Sequence, residues 1–152
     1  EGSRPLVVEI QALVSVSQFP MPRRVVSGYD YNRVLTLIAV LMQRCGQRLE
    51  NKDVYVNVVG GISLDDPGAD LAIAMAIVSS VKNKALSRQI LCVGEIGLSG
   101  EIRRVKDLKT RVKEGIRLGY KQILGPEGDV ENREYSRNSY LRDVLQKLGL
   151  VS

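Results

Sequence analysis

The most reactive pairing that the 152-residue chain offers is serine with lysine. Ser63, Ser79, Ser80 and Ser99 are candidate nucleophiles and Lys106 and Lys109 candidate bases, so a Ser-Lys dyad is compatible with the composition. The chain has no His, which removes Ser-His-Asp and Cys-His catalysis and His-ligated zinc. Its two cysteines, Cys45 and Cys92, cannot complete a four-Cys zinc site and are too few for a disulfide framework. Each falls in an apolar stretch, as buried free thiols do. Asp65 and Asp66 are adjacent carboxylates, but at a helix start they serve as caps, and no metal site is expected. There is no G-x-x-x-x-G-K-[ST] motif, and Gly94, Gly97 and Gly100 have the spacing of hairpin glycines, not that of a dinucleotide loop.

The second chemical resource is positive charge. The net charge is +5, and residues 101–121 alone carry eight basic and three acidic side chains. The basic ones are Arg103, Arg104, Lys106, Lys109, Arg111, Lys113, Arg117 and Lys121. Such a concentration suits a polyanion, and it equally suits a solvated helix face. Only 5% of the residues are aromatic, so nucleic-acid binding would rest on phosphate electrostatics with little sequence preference.

These side chains need elements to hold them. At 44% hydrophobic residues the chain can build the core of one domain, residues 1–152. Pro5 to Ser17 reads as a strand, Phe19 to Pro22 as a break, and Arg23 to Ser27 as a short edge strand. Asp30 caps a helix running to about Leu49, with Arg33, Gln43, Arg44, Gln47 and Arg48 on its wet side. Asp53 to Val59 alternates as a strand, and Gly60-Gly61 bends the chain. Asp66 and Pro67 open a second, mostly buried helix, with Asp70 at its positive end. Gln89 to Gly94 is a strand, Glu101 to Val105 the return strand of a hairpin, and Leu108 to Gly119 an amphipathic helix. Lys121 to Leu124 is a strand, Tyr135 to Arg137 a polar loop, and Tyr140 to Leu148 a terminal helix. This order predicts an α+β or α/β domain around one mixed sheet packed with helices. The longest apolar run, Val34 to Met42, is about half of what a bilayer-spanning helix needs. The start at Glu1, without Met or signal peptide, reads as a piece of a longer or processed chain.

Three stretches together carry a resemblance: Pro22 to Val25 leading to Asp30-Tyr-Asn-Arg33, Asp53 to Gly61, and Gly94-Glu-Ile-Gly-Leu-Ser-Gly-Glu-Ile-Arg103. With Glu1 to Pro5 and Glu9 to Val14, they resemble the C-terminal Lon-protease-like domain of the RadA (Sms) family of DNA repair and recombination ATPases. The resemblance implies an α+β fold of the Lon proteolytic-domain type, related to the second domain of ribosomal protein S5. It implies hexameric rings, binding of single-stranded and branched DNA, branch migration in homologous recombination, and work beside a RecA-type recombinase. ATP, magnesium and zinc would belong to parts of the parent chain that this sequence lacks, and no cofactor to this domain. The compartment implied is the bacterial cytoplasm, at the nucleoid, or a plant chloroplast or mitochondrial matrix, with no membrane contact.

One departure from true Lon proteases bears on catalysis. Their nucleophilic Ser follows the Pro of an Asp-Gly-Pro-Ser-Ala-Gly turn. The matching stretch here is Asp65-Asp-Pro-Gly-Ala-Asp70, so Gly68 takes the nucleophile position. Lys109 falls near the general-base position but has no nucleophile to activate, and Asp70 adds a carboxylate beside the site. The resemblance therefore implies a pseudo-protease. It makes Arg103, Arg104, Lys106, Lys109 and Arg111 candidate DNA contacts, and Arg23, Arg24 and Arg33 contacts either to DNA or to a neighbouring protomer. Tyr29 to Asn32 read as capping and core packing, or as a contact between protomers. Three readings follow: a non-catalytic DNA-binding and hexamerisation domain, a pure assembly scaffold, and a Ser-Lys peptidase using another serine such as Ser63.

Overall fold

A computed structural model describes residues 5–152; the resemblance at residues 1–4 lies outside the described residues. The strands are β1 (Ile10–Val16), β2 (Arg24–Ser27), β3 (Lys52–Val58), β4 (Ile90–Cys92), β5 (Glu95–Ile96), β6 (Ile102–Arg103), β7 (Gln122–Gly125) and β8 (Tyr135–Arg137). The helices are α1 (Tyr31–Cys45), α2 (Asp70–Lys82), α3 (Leu108–Arg117) and α4 (Leu141–Lys147), and a 3-10 turn, Pro67–Ala69, leads into α2.

The class is α+β, as expected, but the described strands form three sheets, not one. β1 and β2 flank β3, antiparallel and parallel respectively, so this sheet alone is mixed. β4, β7 and β8 form a parallel sheet, and β5 and β6 an antiparallel hairpin. The first sheet cannot extend across β1 because α2 covers that edge: the Val14 N–H donates to Ser80 Oγ at 2.9 Å. α1 and α2 bury Leu37, Leu41, Ile73 and Ile77 against the inner face of the first sheet, where Val54 and Val56 alternate inward. A smaller core of Val112, Ile123, Val130 and Tyr135 lies under α3.

Four further expectations need correction. The first strand starts at Ile10, not Pro5, because β3 ends at Val58 and the chain then turns at Gly60 and Gly61, leaving residues 5–8 without a strand partner among the described residues. Leu6 is accordingly 85% exposed. α1 stops at Cys45 and not near Leu49, since Gly46 adopts a left-handed conformation and closes the helix with its N–H on the Leu41 carbonyl. Gln47 is then buried, its side chain donating to the Cys45 carbonyl, so it does not belong to the wet side. Tyr135–Arg137 is not a loop but β8, parallel to β7. The Tyr135 hydroxyl donates to the Pro126 carbonyl and the Asn138 N–H to the Gly125 carbonyl, while Asn138 Oδ1 is buried with no partner among the described residues.

Both cysteines are free. Cys45 is buried and Cys92 half-buried, and burial pushes the thiols up to about 11 and about 12. Among the described residues no helix is long and apolar enough to cross a membrane.

Candidate functional site

The turn before α2 is built by its own residues. Asp66 is extended, and its carboxylate accepts the Gly68 N–H at 2.8 Å, with Pro67 at the first helical position. Gly68 is buried, and its carbonyl accepts the Gly94 N–H at 2.8 Å. The space above its Cα belongs to a neighbour. Arg111 on α3 pairs with Asp66 at 2.9 Å and donates from Nε to the Lys106 carbonyl at 2.9 Å. A Cβ on Gly68 would lie 2.8 Å from Arg111 Nη1, 3.0 Å from Asp66 Oδ1 and 3.3 Å from Val105 Cγ1. An ion pair thus roofs Gly68. Lys109 points elsewhere, to Asp129 at 3.2 Å on the surface.

The other serines are committed differently. Ser79 Oγ donates to the Lys84 carbonyl, Ser80 Oγ accepts from Val14, and Ser63 and Ser99 are exposed. A lysine does reach a serine outside those the sequence singled out: Lys147 Nζ lies 2.8 Å from Ser136 Oγ and 3.2 Å from the Arg137 carbonyl. An ammonium donating to two oxygens is not positioned to take the hydroxyl proton.

One residue beyond the turn lies a node that sequence reasoning missed. Asp70 is fully buried at the start of α2, and its carboxylate accepts four hydrogen bonds. They come from Arg33 Nε (3.1 Å) and Nη2, from the Tyr29 hydroxyl (2.7 Å) and from the Ile96 N–H (3.0 Å). α1, α2 and the hairpin are tied at one point. Burial, then the hydrogen bond to Asp70, pushes the Tyr29 hydroxyl far up, and the bond to Asp70 raises Arg33. Arg33 is therefore not on the wet side of α1, and its guanidinium is spent on Asp70. The available signal was an acidic residue heading an otherwise apolar helix.

The remaining basic candidates divide by what they already hold. Arg24 donates to the Lys52 and Leu49 carbonyls, fastening β2 to the α1–β3 connection. Arg23 lies over the Phe19 ring, 4.1 Å from its centroid, while its N–H donates to Asp53 and holds that carboxyl below its ordinary value. Arg103 is exposed and pairs with Glu101 at 3.0 Å, an interaction worth little in solvent. Arg104, Lys106 and Lys113 are exposed and have no ion-pair partner among the described residues. The structure thus brings Arg103, Arg104 and Lys106 together after the hairpin, and gives Arg24, Arg33 and Arg111 structural work.

Residues 29–129 match the family model described as subunit ChlI of Mg-chelatase, a stretch that corresponds to the Lon-like region of RadA proteins. The chain is 48% identical over 127 residues to the DNA repair protein RadA of Halalkalibacterium halodurans, covering 84% of this chain and 28% of that one. It is 46% identical over 131 residues to that of Bacillus subtilis, covering 86% and 29%. Against the Synechocystis protein of the same name it is 46% identical over 128 residues, covering 84% and 25%. The chain therefore spans under a third of the length of these curated relatives. At this identity over most of its length, the chain belongs to the family of the DNA repair protein RadA.

Proposed function

We propose that this chain is a non-catalytic, DNA-contacting and ring-assembling domain of a RadA-type repair protein that acts on single-stranded and branched DNA in recombination. The observation that carries the reading is the group Arg103, Arg104 and Lys106, projecting from the end of a fixed hairpin with two of its three charges unpaired. Unpaired exposed cations are what a phosphate backbone takes up with release of counterions. The reading extends, on the resemblance alone, to hexamer formation through a Lon-type fold and to work beside a RecA-type recombinase at the bacterial nucleoid. ATP, magnesium and zinc chemistry is assigned to the rest of the parent protein.

A fluorescent single-stranded oligonucleotide titrated across a salt series tests the contact. Log affinity falls with log salt at roughly −0.7 per phosphate contact. Arg104→Glu/Lys106→Glu is expected to flatten that slope by about 1.4 at unchanged mass in solution. An unchanged slope leaves the domain as a scaffold and moves DNA to the rest of the protein.

The absence of catalysis has its own test. Gly68→Ser places its hydroxyl under the Arg111–Asp66 pair, where the nearest cation is a guanidinium that stays protonated. Neither the chain nor Gly68→Ser is expected to react with a fluorophosphonate serine probe. Labelling of the folded wild-type chain would overturn the pseudo-protease reading.

A further inference from the structure

The tip of the β5–β6 hairpin presents Leu98, 72% exposed. A single exposed leucine is ordinary on a protein surface. This one stands on a backbone that is held from several sides. The Gly97 N–H donates to the Glu101 carbonyl and the Gly100 N–H to the Gly97 carbonyl, both at 2.9 Å. The Ser99 N–H donates to the Glu101 carboxylate at 3.0 Å. From outside the hairpin, the Leu141 N–H donates to the Gly100 carbonyl at 2.8 Å, and Ile102 donates to the Ser139 carbonyl at 2.9 Å. The loop is a fixed mount, and among the described residues none covers the side chain that it carries.

Arg44 contacts the mount, and two further arginines stand next to it in the chain or next to a residue bonded to it. Arg44, from the last turn of α1, donates from Nε to the Leu98 carbonyl at 3.4 Å, and its stem lies against Gly100. Arg142 follows Leu141, the residue bonded to Gly100, in the first turn of α4. Arg103 leaves the hairpin on its return strand. Arg44 and Arg142 are exposed and have no ion-pair partner among the described residues. Of the nearby acids, Glu101 accepts from Ser99 and Arg103, Asp143 accepts the Tyr140 N–H, and Glu95 stands opposite Arg103 across the hairpin.

We infer that this tip is a base-contacting site for single-stranded nucleic acid, in which Leu98 packs on the face of an unstacked base while Arg44, Arg103 and Arg142 hold the flanking phosphates. The inference rests on the DNA-binding reading above and adds to it a contact mode and two arginines. Charge complementarity selects the partner: a strand supplies phosphates at the spacing of one per base, and an unpaired base supplies a flat apolar face for one leucine. The apolar area is too small to anchor a bilayer, which needs an extended apolar face.

The chain has no Trp, so Leu98→Trp installs a single reporter at the tip. Titration with a labelled single-stranded oligonucleotide is followed by indole emission and, independently, by anisotropy of the label. Stacking is expected to quench the indole emission in step with binding. Arg44→Gln/Arg142→Gln is expected to weaken binding about tenfold at low salt and to flatten the salt slope by about 1.4. Leu98→Ala is expected to weaken binding about threefold at an unchanged slope, because the contact that it removes is not ionic. If the oligonucleotide binds while the indole emission stays constant, this inference is overturned and the DNA-binding reading stands. If nothing binds at low salt, both fail. Quenching by anionic vesicles in place of the oligonucleotide also overturns it.

Discussion

Asp70→Ala is expected to lower the free energy of unfolding by about 3–4 kcal/mol, measured by urea denaturation with an unchanged m value. The carboxylate is wholly buried and accepts two hydrogen bonds from Arg33, one from the Tyr29 hydroxyl and one from the Ile96 N–H. Alanine leaves a hydroxyl, a backbone N–H and a guanidinium facing an apolar space. The Arg33 side chain keeps 32% of its exposure, so water relieves part of the penalty, and the estimate sits at the lower end of the range for a broken buried pair. Asp70→Leu combined with Arg33→Met removes both charges, and is expected to be less destabilised than the sum of its single variants. A loss below about 1 kcal/mol for Asp70→Ala would show that the node carries little of the fold. The same series separates structure from function, since Arg33→Met should leave the salt dependence of DNA binding unchanged if its guanidinium is committed to Asp70.

That node shows where sequence reasoning reached and where it stopped. Local rules were legible because their partners are near in the chain. Asp30 caps α1 by accepting the Arg33 N–H three residues on. Val54, Val56 and Val58 alternate inward as the pattern of period two requires. Gly97 and Gly100 mark the hairpin that the structure contains. Arg33 and Asp70, by contrast, are separated by 37 positions, and each taken alone reads as an ordinary surface or helix-end charge. β8 escaped notice for the same reason. Tyr135, Ser136 and Arg137 look like loop residues until β7 supplies their parallel partner and Pro126 the acceptor for the tyrosine hydroxyl. The division into three sheets depends on α2 lying along the edge of β1, a tertiary fact that no strand pattern encodes. In the site, the resemblance alone aligned Gly68 with the serine of Lon proteases. Only the fold shows that Arg111, and not Lys109, closes over it.

Gly28→Ala is expected to cost about 2–4 kcal/mol, against about 1 kcal/mol for Gly46→Ala, and the comparison isolates the cause. Both glycines have positive φ, 88° and 68°. Gly46, at the end of α1, has nothing within 4 Å of the place a Cβ would occupy, so alanine there meets only the backbone penalty of the left-handed region. At Gly28 the added carbon would lie 2.7 Å from the Ile62 carbonyl oxygen and 2.7 Å from Val58 Cβ. Neither is the loose end of a flexible side chain, so the chain around residue 62 has to move. The Gly28 carbonyl accepts the Leu64 N–H at 2.8 Å, and the next residue, Tyr29, donates to the Asp66 carbonyl and to Asp70. The displacement therefore enters the turn that carries Asp66, Gly68 and the Arg111 pair. Paired urea unfolding of the two variants is the measurement, and equal losses would mean that the close approach at Gly28 is absent. From that turn the displacement reaches the basic hairpin end, because Asp70 also accepts the Ile96 N–H and Arg111 donates to the Lys106 carbonyl. If that end contacts DNA as proposed, affinity per folded molecule is expected to fall further in Gly28→Ala than in Gly46→Ala, because only the first displacement is passed to Ile96 and Lys106.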